Sequence, residues 1–202
     1  FNGKGHYPSD GAAPAVTRKR VARLNPNGSL DTTFNPSIDG GTLPQVNALA
    51  LQPNGKIVVG GRFATVQPGG TGAVVARNHL ARFNADGTLD TAYNPNANAL
   101  VSALLLQPDG KIVVGGNFAR FAPNGATTAT ARSYIARLNT DGTLDSFDPG
   151  ANGTPSVITV LSDGKVLLGG SFTYFTPNAG TVSTPRAYSA RLNADGTVDT
   201  AW

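Results

Sequence analysis

The sequence has no cysteine, no methionine and no glutamate; all 12 of its acidic residues are aspartate. Without cysteine there is no disulfide and no thiolate chemistry. The missing glutamate and methionine, with 25 glycines and 14 prolines in 202 residues, disfavour helices. Histidine is nearly absent too. His6 and His79 stand alone, in no repeated pattern. No His/Cys cluster exists and no serine sits in a nucleophile elbow. Charged residues make up only 14% and the net charge is +4. The basic residues are spread out and no aromatic ladder runs among them, so a nucleic-acid partner is not expected. No apolar run reaches membrane length, and neither a signal peptide nor an initiator methionine is present. The chain reads as a processed product or a segment of something longer. These absences lead to an expectation of no enzyme activity, no catalytic residue, no cofactor, no metal and no membrane span.

What is present is one stretch written four times. It runs VARLNPNGSLD from Val21 to Asp31, LARFNADGTLD from Leu80 to Asp90, IARLNTDGTLD from Ile135 to Asp145 and SARLNADGTVD from Ser189 to Asp199. Each copy reads as a strand, a tight turn and a returning strand. A two-residue turn on Asp86-Gly87 would set Phe83 against Asp90. A three-residue turn with Gly87 left-handed pairs Asn84 with Thr88, Phe83 with Leu89 and Arg82 with Asp90. The second register matches like with like and is preferred. It makes Gly28, Gly87, Gly142 and Gly196 positive-φ turn glycines. It also predicts four ion pairs, Arg23–Asp31, Arg82–Asp90, Arg137–Asp145 and Arg191–Asp199. As cross-strand pairs each contributes about 0.2–1 kcal/mol; a binding row is the competing reading.

A second unit alternates with the first. It reads VNALALQPNGKIVVGGRF from Val46 to Phe63, VSALLLQPDGKIVVGGNF from Val101 to Phe118 and VITVLSDGKVLLGGSF from Val157 to Phe172. It is also a hairpin, with turn glycines at Gly55, Gly110 and Gly164. Its strands are apolar on both faces and so must be covered on both. The Gly-Gly pairs at 60–61, 115–116 and 169–170 mark a bulge or a close backbone approach.

The two units together repeat every 54–55 residues, counting from Gly55 to Gly110 to Gly164. Two hairpins per period give four antiparallel strands, which is the layout of a β-propeller blade. The predicted fold is therefore all-β, with propeller-type blades at residues 46–95, 101–149 and 157–202. An extra outer hairpin lies at 21–36, and residues 1–20 form an irregular N-terminal arm. The motif pair LxLQPDGKIVVGGxF and ARLNxDGTLDxxF resembles the bacterial delta-60 repeat, a predicted β-propeller family. The resemblance covers most of residues 21–202. The third copy departs from it, its LDSFDPG being one residue short. The resemblance implies large secreted or surface-attached bacterial proteins built of tandem copies, and it brings no catalytic residues.

Three long loops, Ala64–His79, Ala119–Tyr134 and Thr173–Ser189, each carry an arginine five residues before the motif arginine. Arg77, Arg132 and Arg186, with Arg18 in the first copy, are candidates for an interaction face gripping an anionic glycan or a surface partner. The competing reading is that each braces its loop through backbone carbonyls. Asn84-x-Asp86-Gly87-x-x-Asp90 suggests a calcium loop, but calcium wants six to eight oxygens and this register sends Asp90 to Arg82. Asn27-Gly28-Ser29 and Asn152-Gly153-Thr154 match glycosylation sites that turn chemistry also explains. Four outer hairpins against three inner ones lead to one more expectation. The 202 residues do not close a ring alone, and further repeats or copies of the chain meet them head to tail, as an array or filament. A ligand-binding or adhesive role for the long loops is the alternative.

Overall fold

The inner hairpins are apolar on both faces, and the fold buries both by stacking sheet against sheet. The computed structural model describes residues 4–7 and 16–202, the side chains from residue 16 onward. Phe1 and the side chain of His6 lie outside the described residues. Among the described residues no helix is long and apolar enough to cross a membrane.

Two strands open the described chain, β1 (Lys4–Tyr7) and β2 (Val16–Lys19), paired antiparallel from Lys4–Lys19 to Tyr7–Val16. Within the arm expected to be irregular over residues 1–20, residues 4–7 and 16–19 are thus paired strand, which corrects the expectation for those eight; the rest up to residue 15 lies outside the described residues. Backbone pairing needs only extended chain, and four residues are too few to print a period on the sequence. The next strand, β3 (Ser37–Asp39), follows the first outer hairpin.

Three main sheets then repeat. The first joins β4 (Gln45–Leu51), β5 (Ile57–Arg62) and β8 (Leu80–Phe83). The second joins β9 (Val101–Leu106), β10 (Ile112–Gly116) and β13 (Ile135–Leu138). The third joins β14 (Pro155–Val160), β15 (Val166–Gly170) and β18 (Ser189–Leu192). The fourth strand of each blade is shorter than a full strand. It is a single bridge, Phe83–Leu89, Leu138–Leu144 and Leu192–Val198. One residue later Asp90 N donates to the Arg82 carbonyl, and the chain turns away through Asp90 and Tyr93.

The long loops are not irregular. β6 (Thr65–Gln67) and β7 (Val75–Ala76) make a small second sheet with β3. β11 (Arg120–Phe121) pairs with β12 (Thr130–Ala131), and β16 (Tyr174–Phe175) with β17 (Thr184–Pro185). A short 3-10 turn begins at Pro68, Pro123 and Pro177 between the two strands of each loop. Strands of two or three residues sit below what alternation in a sequence can reveal.

The core lies between blades. Val58, Leu80 and Tyr93 of the first blade pack with Val101, Ile112, Val114 and Phe118 of the second. Val113, Ile135 and Phe147 of the second pack with Val166, Leu168 and Phe172 of the third. The first outer hairpin gives Val21 and Phe34 to Val59, Ala81 and Phe83 of the first blade. Val58 and Val59, neighbours in β5, thus point to opposite seams, as pleating requires.

Candidate functional site

The repeated hairpin builds a seam. In the second copy Asn84 N donates to the Thr88 carbonyl (2.8 Å), Gly87 N to the Asn84 carbonyl (2.9 Å) and Asp90 N to the Arg82 carbonyl (2.9 Å). The three-residue turn is therefore in place, with Gly87 at φ +85°. Gly28, Gly142 and Gly196 have φ between +85° and +94°, and Gly55, Gly110 and Gly164 between +79° and +84°. Asp86 Oδ1 accepts from the amide and the hydroxyl of Thr88, which locks the turn.

Arg82 is where the seam is tied. Its guanidinium meets Asp90 at 2.8 Å, with both side chains 9% exposed. Nη1 donates to the Thr140 carbonyl of the next blade at 2.6 Å. The guanidinium also lies 4.1 Å over the Tyr93 ring, a cation–π contact. Arg23 repeats this with Asp31, the Ala85 carbonyl and Phe34; Arg137 repeats it with Asp145, the Ala194 carbonyl and Phe147. Each aromatic ring then sits on a turn glycine of the following unit. A Cβ on Gly87 would stand 3.2 Å from Phe34, one on Gly142 2.9 Å from Tyr93 and one on Gly196 3.2 Å from Phe147.

A third charge joins each complete blade. Lys56, Lys111 and Lys165, the residue after each inner turn glycine, reach Asp90, Asp145 and Asp199 at 2.6–2.7 Å. Sequence reasoning missed these lysines; their recurrence after the inner-turn glycine was the available signal. Burial raises the Asp145 carboxyl, but Lys111, the Phe147 amide and Arg137 outweigh it and hold the group down to about 2. Asp31 has Arg23 and no lysine among the described residues. Its carboxyl is held at about 2 by the hydroxyl and amide of Thr33, with Arg23 helping.

The four loop arginines, Arg18, Arg77, Arg132 and Arg186, all donate to backbone carbonyls. Arg18 and Arg77 are buried. Arg77 donates to the carbonyls of Ala76 and Thr91, and Arg18 to those of Thr17, Asp31 and Thr32. Arg132 donates to Ala131 and Asp145 carbonyls, and Arg186 to Pro185 and Asp199 carbonyls. These bonds tie each loop to the chain beyond the hairpin, and Arg132 also meets the Asp148 carboxylate at 3.5 Å. The backbone bonds favour the bracing reading over the interaction-face one. Among the described residues no group of three or more His, Cys, Asp or Glu side chains gathers.

Both Gly-Gly positions have a cause. The second glycine of each pair faces a backbone carbonyl of its own sheet, beside the register shift in the ladder. The first glycine makes room for the next blade: a Cβ on Gly60 would lie 2.6 Å from Val101, and one on Gly115 2.9 Å from Ile158. Gly169 meets no atom of another blade. Its face is a groove of about 310 Å³ lined by Val157, Thr159, Leu167, Ser189 and Trp202. Trp202 is 47% exposed and Arg191 lies 6.0 Å from its ring. In the first outer hairpin, a Cβ on Gly28 would meet nothing within 4 Å among the described residues. A cleft of about 440 Å³ with mixed lining lies on the loop side, between Arg132, Tyr134, Asp148, Asn152 and Tyr174. Burial raises the Asp148 carboxyl there, with Arg132 opposing.

A family model described as "Domain of unknown function (DUF5122) beta-propeller" matches residues 15–34, 52–93, 107–147 and 161–201. The chain belongs to this DUF5122 beta-propeller family. Three of the four matched segments of the DUF5122 repeat end on the ring that seats on the next turn, at Phe34, Tyr93 and Phe147, and the fourth ends one residue before Trp202. The family unit and the seam thus coincide. A comparison with curated proteins finds no match.

Proposed function

We propose that this DUF5122 chain is a non-enzymatic structural module of a secreted or cell-surface bacterial protein, and that its blades continue into further units or copies. The observation that carries the reading is a contact made three times between neighbouring units, whose two halves stand exposed once more, at Trp202 and around Gly28. Internally, the ring of one unit sits on the turn glycine of the next, and the motif arginine donates to the same turn. Trp202 and Arg191 are the ring and arginine of a fourth such contact. The Asn25–Gly28 turn, open around Gly28, is the matching seat. A head-to-tail contact of this kind propagates unless its rotation closes. The extracellular assignment rests on the delta-60 resemblance and on a chain free of cysteine.

Sedimentation velocity across a concentration series tests the reading. Concentration-dependent assembly that Trp202→Ala abolishes is expected. A single monomeric species at every concentration contradicts it. The cleft with Tyr134, Tyr174 and Asn152 favours a second reading, a glycan-binding module, since aromatic faces beside polar groups suit sugars. A glycan array with Tyr174→Ala as control decides that reading: binding lost in the variant supports it, and an array without binding removes it.

A further inference from the structure

Three observations at the first outer hairpin converge on one missing element. The first is an unpaired edge. Val21–Leu24 has the same pattern as Leu80–Phe83, Ile135–Leu138 and Ser189–Leu192, each of which pairs along an inner strand. Among the described residues, Val21–Leu24 forms no ladder and holds only the Leu24–Leu30 bridge of its own hairpin. Leu24 is 52% exposed, whereas Phe83, Leu138 and Leu192 are 0% exposed.

The second is an uncovered face. Leu49 and Leu51 of β4 are 55% and 69% exposed. Their counterparts in β9, Leu104 and Leu106, pack against the first blade. The third is a charge. Asp90, Asp145 and Asp199 each take a lysine from the inner turn of their own blade. Asp31 takes none among the described residues. Among the described residues, a strand edge, an apolar face and a carboxylate all lack what the inner hairpin supplies in every complete blade.

We infer that Val21–Leu24, Leu49, Leu51 and Asp31 form the seat of an inner β-hairpin of this chain's own type, donated by a separate repeat unit. The occupant carries two strands apolar on both faces, joined by a turn that ends Gly-Lys. One strand adds to the Val21–Leu24 edge by main-chain pairing, the mode of strand addition. Its apolar face covers Leu49 and Leu51. Its lysine reaches Asp31 and completes the Arg-Asp-Lys group. The three inner hairpins of the molecule itself are held in their own sheets and are not free to donate. The inference rests on the module reading above and names the element and atoms by which a neighbouring unit joins.

A synthetic peptide spanning Val101–Phe118, labelled for fluorescence anisotropy, serves as probe against the whole chain. Saturable binding at one peptide per chain is expected. Leu51→Asp, at a site already exposed and so harmless to the fold, is expected to weaken binding at least tenfold. Lys111→Ala in the peptide is expected to weaken it about fivefold, as loss of a partly buried ion pair would, and to have no further effect on the Asp31→Asn chain. Absence of saturable binding overturns the inference, as does binding indifferent to Leu51→Asp. Such a result would leave the module reading standing wherever Trp202-dependent assembly is observed, because that contact uses Trp202 and the Asn25–Gly28 turn rather than Leu51 or Asp31.

Discussion

Arg82→Ala removes the knot of the second seam. In the wild type the guanidinium meets Asp90, the Thr140 carbonyl and the Tyr93 ring in a nearly dry place. Removing one partner of a fully buried pair costs about 3–5 kcal/mol, because the other charge is stranded. Here Lys56 stays 2.7 Å from Asp90 and neutralises it, which lowers that figure. The lost bond to Thr140 adds about 0.5–1.5 kcal/mol. The expected total is about 2–4 kcal/mol. Arg23→Ala is the internal comparison. Its pair is wetter, at 34% and 17% exposure, and the loss expected is about 1 kcal/mol. Urea unfolding at neutral pH reads both. With a slope of about 2 kcal/mol/M, the midpoint falls by about 1–2 M for Arg82→Ala and about 0.5 M for Arg23→Ala. Equal shifts, or a larger one for Arg23→Ala, would refute the claim that the buried seam holds adjacent blades together.

Gly87→Ala and Gly28→Ala separate backbone strain from the aromatic seat. Both residues have φ +85°, but only Gly87 has the Phe34 ring 3.2 Å from a new Cβ. Gly28→Ala should cost about 1 kcal/mol and Gly87→Ala about 1–3 kcal/mol; equal losses of melting temperature would show that the ring does not press on the turn. The carboxyls of Asp31 and Asp145 are both depressed in the folded chain, from 3.8 to about 2. A depressed carboxyl contributes stability above its unfolded value and loses it as pH falls through the folded one. The urea midpoint should therefore hold from about pH 7 to 5 and fall between about pH 4 and 2, less steeply in Asp145→Asn; a midpoint that rises on acidification contradicts the ion-pair assignment.

Much of this architecture was legible in the residues. Matching Phe83 with Leu89 and Arg82 with Asp90 fixed the turn register, because an apolar group opposite a carboxylate is a poor pair. Strands apolar on both faces implied stacked sheets. The lysines were harder to place, since 34 residues separate Lys56 from Asp90 and no local spacing joins them. The loop sheets were hidden by their length. The left-handed residues were hidden by their identity. His79, Tyr134 and Tyr188 have φ between +63° and +67° at one recurrent position, where side chains of their size are uncommon. Each is held by two backbone bonds, as His79 is between Phe63 and Gly61. The loop arginines were ambiguous because a guanidinium serves a carbonyl and a ligand equally well, and only burial distinguishes the two.

The absence of cysteine permits a direct test of the central claim, that the Trp202 end of one molecule meets the Asn25–Gly28 turn of another. Ala201→Cys and Asn27→Cys place single thiols beside the two half-contacts, at exposed positions. The two variants are mixed and treated with a short bismaleimide, and a Ser162→Cys variant replaces Ala201→Cys in the control. The account predicts 201–27 heterodimers well above the control, and a ladder of covalent multimers from the double variant. Cross-linking no greater than in the control would contradict it.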